Sequence, residues 1–97
     1  MNELKWKFKV EPEERSILSC EVPKHFKVKM YEIKRGNSEV FSIGFDGAKL
    51  VGVDWGQSFK ILDSPMIVRN DFSFGVNAQK AVFPEVVEVT LYGKFVE

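Results

Sequence analysis

Cysteine and histidine are almost absent from this sequence of 97 residues, which contains only Cys20 and His25. A single cysteine excludes an intrachain disulfide, the usual stabilising device of small secreted domains, so an intracellular origin is expected. One cysteine and one histidine also cannot supply the three or four ligands of a zinc site. We therefore expect no metal site of this kind and no cofactor.

Long apolar runs and net charge are missing as well. No segment approaches the ~20 apolar residues of a membrane span, and the charged start MNELKWK lacks the apolar core of a signal peptide. The 14 Lys and Arg residues balance the 14 Asp and Glu residues, which excludes a global basic field for holding nucleic acid. We expect no membrane partner.

The charge is nevertheless unevenly distributed along the chain. Residues 1–35 carry nine cations and six anions, and residues 36–97 carry five cations and eight anions, so the two parts are +3 and −3. Such a polarity favours packing between neighbouring copies, the positive part of one against the negative part of another. The alternative is ordinary solvated strand faces whose charges mix in space.

The sequence also lacks a recognisable set of catalytic residues. Cys20 and His25 lie five residues apart, but Cys20 alternates with Leu18 and Val22 on an apolar face, where a free cysteine acts as a small hydrophobe. His25 is typical of an exposed turn, and the glycines match no phosphate-binding loop. Four aspartates at predicted turns are compatible with a calcium site or an acid/base pair, or simply with turn formation: Asp46, Asp54, Asp63 and Asp71. We expect no enzymatic activity.

A period-two alternation of apolar and polar residues runs through nearly the whole chain. It is clearest in LKWKFKV at 4–10, in FKVKM at 26–30 and from residue 86 to 96, while Phe41, Ile43 and Phe45 share one predicted face. Turn signals such as Asp46-Gly47 recur every 8–12 residues. The pattern predicts an all-β fold: one domain over 1–97, a small β-sandwich or jelly roll of about seven to nine mostly antiparallel strands, with at most one short helical turn near 77–83.

The stretch LKWKFKV has the composition of a single-stranded nucleic-acid groove, which combines stacking aromatics with cations on one surface. In a strand, however, successive side chains point to opposite faces, so the lysines lie opposite Trp6 and Phe8. If the strands holding LKWKFKV and FKVKM are neighbours, five lysines share one face: Lys5, Lys7, Lys9, Lys27 and Lys29. That face would meet water, the acidic surface of a partner protein, or phosphate.

Several stretches in residues 26–96 resemble the small β-sandwich proteins of bacteriophage virions, such as head-decoration, head-fibre and spike modules. They are FSIGFDG at 41–47, GQSF at 56–59 and the closing VEVTLYG at 87–93. The resemblance implies a non-enzymatic structural protein that associates with copies of itself and docks on a capsid or tail surface. It would reside in the virion after synthesis in the host cytoplasm, or otherwise in the cytoplasm.

On this hypothesis the five lysines form an electrostatic docking face, and Tyr31, Trp55 and Tyr92 are candidate anchors. The alternatives are a ligand-binding module or a phage-encoded inhibitor that docks on a host protein. A ligand-binding module would be either an OB-like binder of single-stranded nucleic acid or a sugar binder centred on Trp55. The alternative for Trp55 is a structural role at a corner of the core.

Overall fold

A computed structural model describes residues 2–46, 48–50 and 59–96 of the chain, and these residues form eight β-strands and no helix. This confirms the predicted all-β class. The strands are β1 (Asn2–Val10), β2 (Arg15–Glu21), β3 (Phe26–Lys34), β4 (Glu39–Phe45), β5 (Ala48–Leu50), β6 (Phe59–Val68), β7 (Asp71–Asn77) and β8 (Glu85–Phe95).

The strands form two four-stranded sheets that pack as a sandwich. The first sheet has the order β1-β8-β3-β6, and the second has the order β2-β7-β4-β5. Every pairing among the described strands is antiparallel. The first and the last of the described strands, β1 and β8, are direct neighbours in the first sheet.

The core lies between the inward faces of the two sheets and contains many aromatic rings. Phe8 of the first sheet meets Phe74 of the second with ring centroids 5.8 Å apart, and Tyr31 meets Phe72 at 5.8 Å. Phe72 and Phe74 are fully buried. Because each buried phenylalanine contributes about 1.5–3 kcal/mol, these contacts join the sheets firmly.

Two bulges interrupt the alternation that the sequence predicts. In β3 the register shifts between Val28 and Met30, which makes Lys29 an extra residue and swaps the faces beyond it. In β4 a similar shift lies between Val40 and Ser42. A bulge adds one residue to a strand and thereby reverses the direction of every later side chain.

The bulge in β4 makes one prediction wrong. Ile43 and Phe45 are buried as expected, but Phe41 lies on the outer face of the second sheet. Its ring covers the position where a Cβ of Gly75 would stand, and the Arg15 guanidinium lies 4.4 Å from the ring centroid. Phe41 therefore caps the outside of the second sheet instead of filling the core.

The segment near 77–83 forms a turn. The N–H of Gln79 donates to the Asn77 Oδ1 at 3.1 Å, and the N–H of Ala81 donates to the Ala78 carbonyl at 3.0 Å. Asn77 thus holds a backbone N–H with its side chain, which is the chemistry of an Asx turn. The predicted upper limit of one helical turn is respected, since this turn does not continue into a helix.

Strand β6 is longer than the alternation indicated. Asp63 was predicted to lie at a turn, whereas the structure continues the strand through it from Phe59 to Val68. Opposite this stretch the register jumps, since Met30 pairs with Ile61 and Val28 pairs with Met66. Proline is tolerated here because β6 is an edge strand and needs no ladder hydrogen bond at that position.

Gly93 sits where the backbones of β8 and β3 lie close together. A Cβ added at Gly93 would clash with the backbone carbonyl oxygen of Lys27. That atom cannot move aside without displacing β3, so the site requires glycine.

We predict that Gly93→Ala lowers the free energy of unfolding by about 2–4 kcal/mol, because the new methyl group clashes with backbone. Urea denaturation measures this change. The control is Gly75→Ala, whose new methyl group would lie nearest to side-chain atoms of Phe41 and Ser42 and not to backbone. Those side chains can turn away, so its cost is expected to stay under about 1 kcal/mol. Equal losses in the two variants would contradict the proposed close approach.

Candidate docking surface

The outer face of the first sheet carries the lysines of β1. Lys5, Lys7 and Lys9 are exposed, as predicted, while Trp6 and Phe8 pack against the core. Lysines on an edge strand discourage unwanted strand pairing.

Each lysine of β1 has a carboxylate nearby. The Lys5 Nζ lies 3.8 Å from Glu3, the Lys7 Nζ 3.9 Å from Glu88 and the Lys9 Nζ 3.6 Å from Glu11. These exposed pairs contribute little stability. Their main effect is to neutralise the field above β1.

A second group of lysines surrounds a groove with a volume of about 380 Å³, lined by Lys27, Lys29, Pro65, Gly93 and Lys94. Lys27 and Lys94 stand directly opposite each other in the β3–β8 register, and Lys29 lies at the bulge. Within the described residues, none of these three lysines forms an ion pair. We call this feature the cationic groove.

The prediction of one five-lysine face is therefore only partly right. β8 lies between β1 and β3, so the two lysine-bearing strands are not neighbours. The lysines of β1 are neutralised, and Lys27 and Lys29 join Lys94 instead. Lys94 was missed because the order of strands in a sheet cannot be read from alternation.

The sequence-level charge split does not become a split in space. Residues 1–35 supply β1 and β3 to the first sheet but β2 to the second, so they are interleaved with the later strands. The contact of Lys7 with Glu88 joins a cation of residues 1–35 to an anion of residues 36–97. The cationic groove is the local exception.

The three aromatic anchor candidates have different outcomes. Tyr31 lies in the core and packs on Phe72, because the β3 bulge turns it inward, so its assignment as a surface anchor is wrong. Trp55 lies outside the described residues. Tyr92 is on the outer face and half-buried.

Tyr92 has acidic surroundings. The carboxylate of Glu32 lies near its hydroxyl, and Glu3 stands opposite it in β1. Partial desolvation, followed by the charges of Glu32 and Glu3, raises the pKa of Tyr92 above its usual value. The aromatic ring on this face thus has two carboxylates, from Glu32 and Glu3, beside it, with Lys34 also near.

Large exposed apolar side chains are also part of the surface, and no sequence pattern indicated that they are exposed. Along the edge strand β6 they are Phe59, Ile61 and Ile67, and near the start of β8 they are Val82, Phe83 and Val86. Val82 and Phe83 are the most exposed, at 74% and 75%. In the sequence, these apolar residues look like core residues. Those of β6 are exposed because β6 lies at the edge of its sheet, and Val82 and Phe83 are exposed because they lie in a loop.

The loop that carries Val82 and Phe83 is held firmly. The N–H of Ala78 donates to the Glu14 carbonyl at 2.8 Å, and the N–H of Glu13 donates to the Ala78 carbonyl at 2.9 Å. Ala78 and Ala81 are buried. The loop is therefore fixed at its base while its tip projects into solvent.

The residues considered for chemistry have structural roles in this fold. Cys20 is fully buried, and burial, followed by the negative charge of Asp71, raises the pKa of its thiol to about 12. A nucleophilic cysteine needs a lowered pKa. His25 is exposed, and its backbone carbonyl accepts a hydrogen bond from the Val96 N–H at 2.9 Å.

The acidic turn residues hold neighbouring turns together. Asp46, which has a positive φ of 52°, accepts hydrogen bonds from the backbone N–H groups of Arg69, Asn70 and Asp71, the shortest being 2.7 Å. Partial burial would raise the pKa of Asp46, but these hydrogen bonds outweigh it and lower the pKa. Asp54 lies outside the described residues, and the part of the chain that the structure describes brings no three His, Cys, Asp or Glu residues into a metal-binding group.

Glu85 plays the same role at the other end of the sandwich. Its carboxylate accepts the backbone N–H of Asn37 at 2.6 Å and that of Ser38 at 3.0 Å. The hydrogen bond from Asn37 is the main reason why the pKa of Glu85 is lowered. This contact ties the β3–β4 turn to the start of β8.

Within the described residues, no helix is long and apolar enough to cross a membrane.

We predict that Cys20 reacts with a thiol reagent such as iodoacetamide only after unfolding, because the folded protein keeps it buried as a neutral thiol. Mass spectrometry of the alkylated protein, with and without urea, measures the reaction. Rapid labelling of the folded protein near neutral pH would contradict the buried position and reopen a nucleophilic role.

We predict acid sensitivity from Asp46 and Glu85. Their folded pKa values lie below the usual 3.8 and 4.5, so their stabilisation is complete above those values and is lost as the pH falls through the folded pKa. Asp46→Asn should cost roughly 1 kcal/mol near neutral pH and flatten the decline in acid. Urea denaturation across a pH series measures both effects.

The exposed Asp63 provides the control, since it accepts no hydrogen bond within the described residues. Asp63→Asn should change the free energy of unfolding near neutral pH by less than about 0.5 kcal/mol. A parallel decline for wild type and Asp46→Asn would contradict the role of Asp46.

A comparison with protein-family models finds no family that matches this chain. A comparison with curated proteins also finds no match. The surface is therefore interpreted from its own geometry.

Proposed function

We propose that the protein is a non-enzymatic interaction module that associates with copies of itself and docks on a larger protein assembly. Its role would be that of a bacteriophage head-decoration, head-fibre or spike module, located in the virion. The observation that carries the proposal is the firmly held loop that presents Val82 and Phe83 to solvent.

The exposed apolar side chains at the tip of this loop support a docking role. Two consecutive large side chains are each about three-quarters exposed, and Val86, three residues further on, is 62% exposed. Clustered exposed apolar residues are typical of interaction sites in soluble proteins. Aromatic residues that enter a pocket on the partner often dominate binding energy.

The rigidity of the loop supports the same conclusion. Ordering a mobile loop on binding costs free energy, and a loop that is already ordered avoids that cost. Here the backbone hydrogen bonds of Ala78 and the burial of Ala78 and Ala81 fix the base. The backbone that leads to Phe83 is thus already held in place before any partner binds.

The alternatives receive less support from the geometry. Single-stranded nucleic acid needs aromatic rings beside cations, but Tyr92 lies beside Glu32 and Glu3. Sugar binding centred on Trp55 stays a prediction, because Trp55 lies outside the described residues. An inhibitor of a host protein would use the same exposed loop and differs only in its partner.

We predict that the double variant Val82→Ser/Phe83→Ser weakens self-association by roughly 30-fold or more, because two central apolar contacts are removed. Sedimentation equilibrium over a range of protein concentrations measures the dissociation constant. Unfolding by urea should change by no more than about 0.5 kcal/mol, because both side chains are exposed.

The matched control is Ile17→Ser, an exposed apolar residue on the outer face of the second sheet, 60% exposed. It should leave self-association unchanged. A wild-type protein that stays monomeric at all concentrations, or an equal effect of Ile17→Ser, would contradict the proposal.

A further inference from the structure

The cationic groove contains an arrangement that does not help the fold. Lys27 and Lys94 face each other across β3 and β8, with Lys29 in the same groove. Like charges directly opposite each other destabilise a sheet. The fold gains nothing from this repulsion, and no ion pair within the described residues offsets it.

The same face shows how the chain neutralises lysines elsewhere. Lys5, Lys7 and Lys9 each lie within 4 Å of a carboxylate. The contrast is local, since β8 contributes Glu88 to one group and Lys94 to the other. Places where a sequence breaks a local rule without a structural gain are typical of functional sites.

The shape of the site also suits a ligand. The lysines surround a depression of about 380 Å³, with Pro65 and Gly93 as its uncharged lining. Ile67 pairs with Lys27 and is exposed next to it. The groove therefore offers several ammonium groups together with apolar surface.

We propose that the cationic groove binds a carboxylate-rich segment of a partner protein. This inference rests on the proposed docking function and names the chemistry of a second contact, separate from the Phe83 loop. Carboxylates from the partner would occupy the space between the lysines and remove their mutual repulsion. Electrostatic complementarity of this kind sets the orientation and rate of docking.

The surroundings favour a protein segment over single-stranded nucleic acid. A nucleic-acid strand needs a continuous cationic track with aromatic rings along it. Beyond the groove, the face carries Glu32 and Glu3 around Tyr92, and the lysines of β1 are already paired. The cations of this face are thus interrupted by carboxylates before Lys34, which lies near Tyr92. An isolated group of lysines suits a compact group of carboxylates.

The test uses a fluorescent glutamate-only peptide and an oligodeoxythymidine of matched charge, with anisotropy measured at low ionic strength. The double variant Lys27→Gln/Lys94→Gln should bind the peptide at least about fivefold more weakly, while Lys5→Gln/Lys7→Gln should change binding less than twofold. Without peptide, Lys27→Gln/Lys94→Gln should also melt at a higher temperature than wild type, because the repulsion is gone.

Three results would overturn the inference. They are the absence of peptide binding by the wild type, equal losses in the two lysine variants, and tighter binding of the oligodeoxythymidine than of the peptide. The last result would identify nucleic acid as the partner.

Measuring the peptide affinity of Val82→Ser/Phe83→Ser separates the two proposals. This variant should bind the peptide like wild type, because the loop is distinct from the groove. Peptide binding that survives while self-association proves absent would remove the loop proposal alone, and the reverse outcome would remove the groove alone.

Discussion

The pairing of β8 with strands on both sides is the constraint on which the structure depends. β8 lies between β1 and β3, and its Val87, Val89 and Leu91 point into the core while Glu88 and Tyr92 point outward. Because Gly93 has no side chain, the backbone of β3 can pair closely with β8 next to the bulge in β3. This one strand therefore sets both the packing of the core and the charge pattern of the outer face.

The surface follows from that position. Because β8 carries Glu88 at one end and Lys94 at the other, it neutralises the lysines of β1 but adds charge to those of β3. The segment just before β8 holds the exposed Phe83, fixed by the buried Ala81. The two proposed contacts are thus connected through the same strand, although the fold alone implies neither of them.

Much of the fold was readable from alternation, because a half-buried strand buries every second residue. The faces of β1 and β8, the burial of Cys20 and the all-β class followed directly. The bulges at Lys29 and Phe41 were not readable, and they reversed the positions expected for Tyr31 and Phe41. A bulge depends on how two strands meet, which a single strand's sequence does not record.

The candidate surface was less predictable than the fold. Lys27 and Lys29 were identified from the alternation of apolar and polar residues in FKVKM. Their grouping with Lys94 depends on the order of the strands in the sheet. The exposure of Phe83 depends on a loop whose apolar residues look like core residues in the sequence. Long-range pairing decided both features, and no local pattern specifies it.

Hydrogen–deuterium exchange at increasing protein concentration tests the central claim, docking through one defined surface, most directly. The account predicts that protection rises in the loop at 79–84 and at the start of β8, while the outer face of the second sheet around Ile17 stays unchanged. Protection that does not change with concentration, or that rises equally on both sheets, would contradict it.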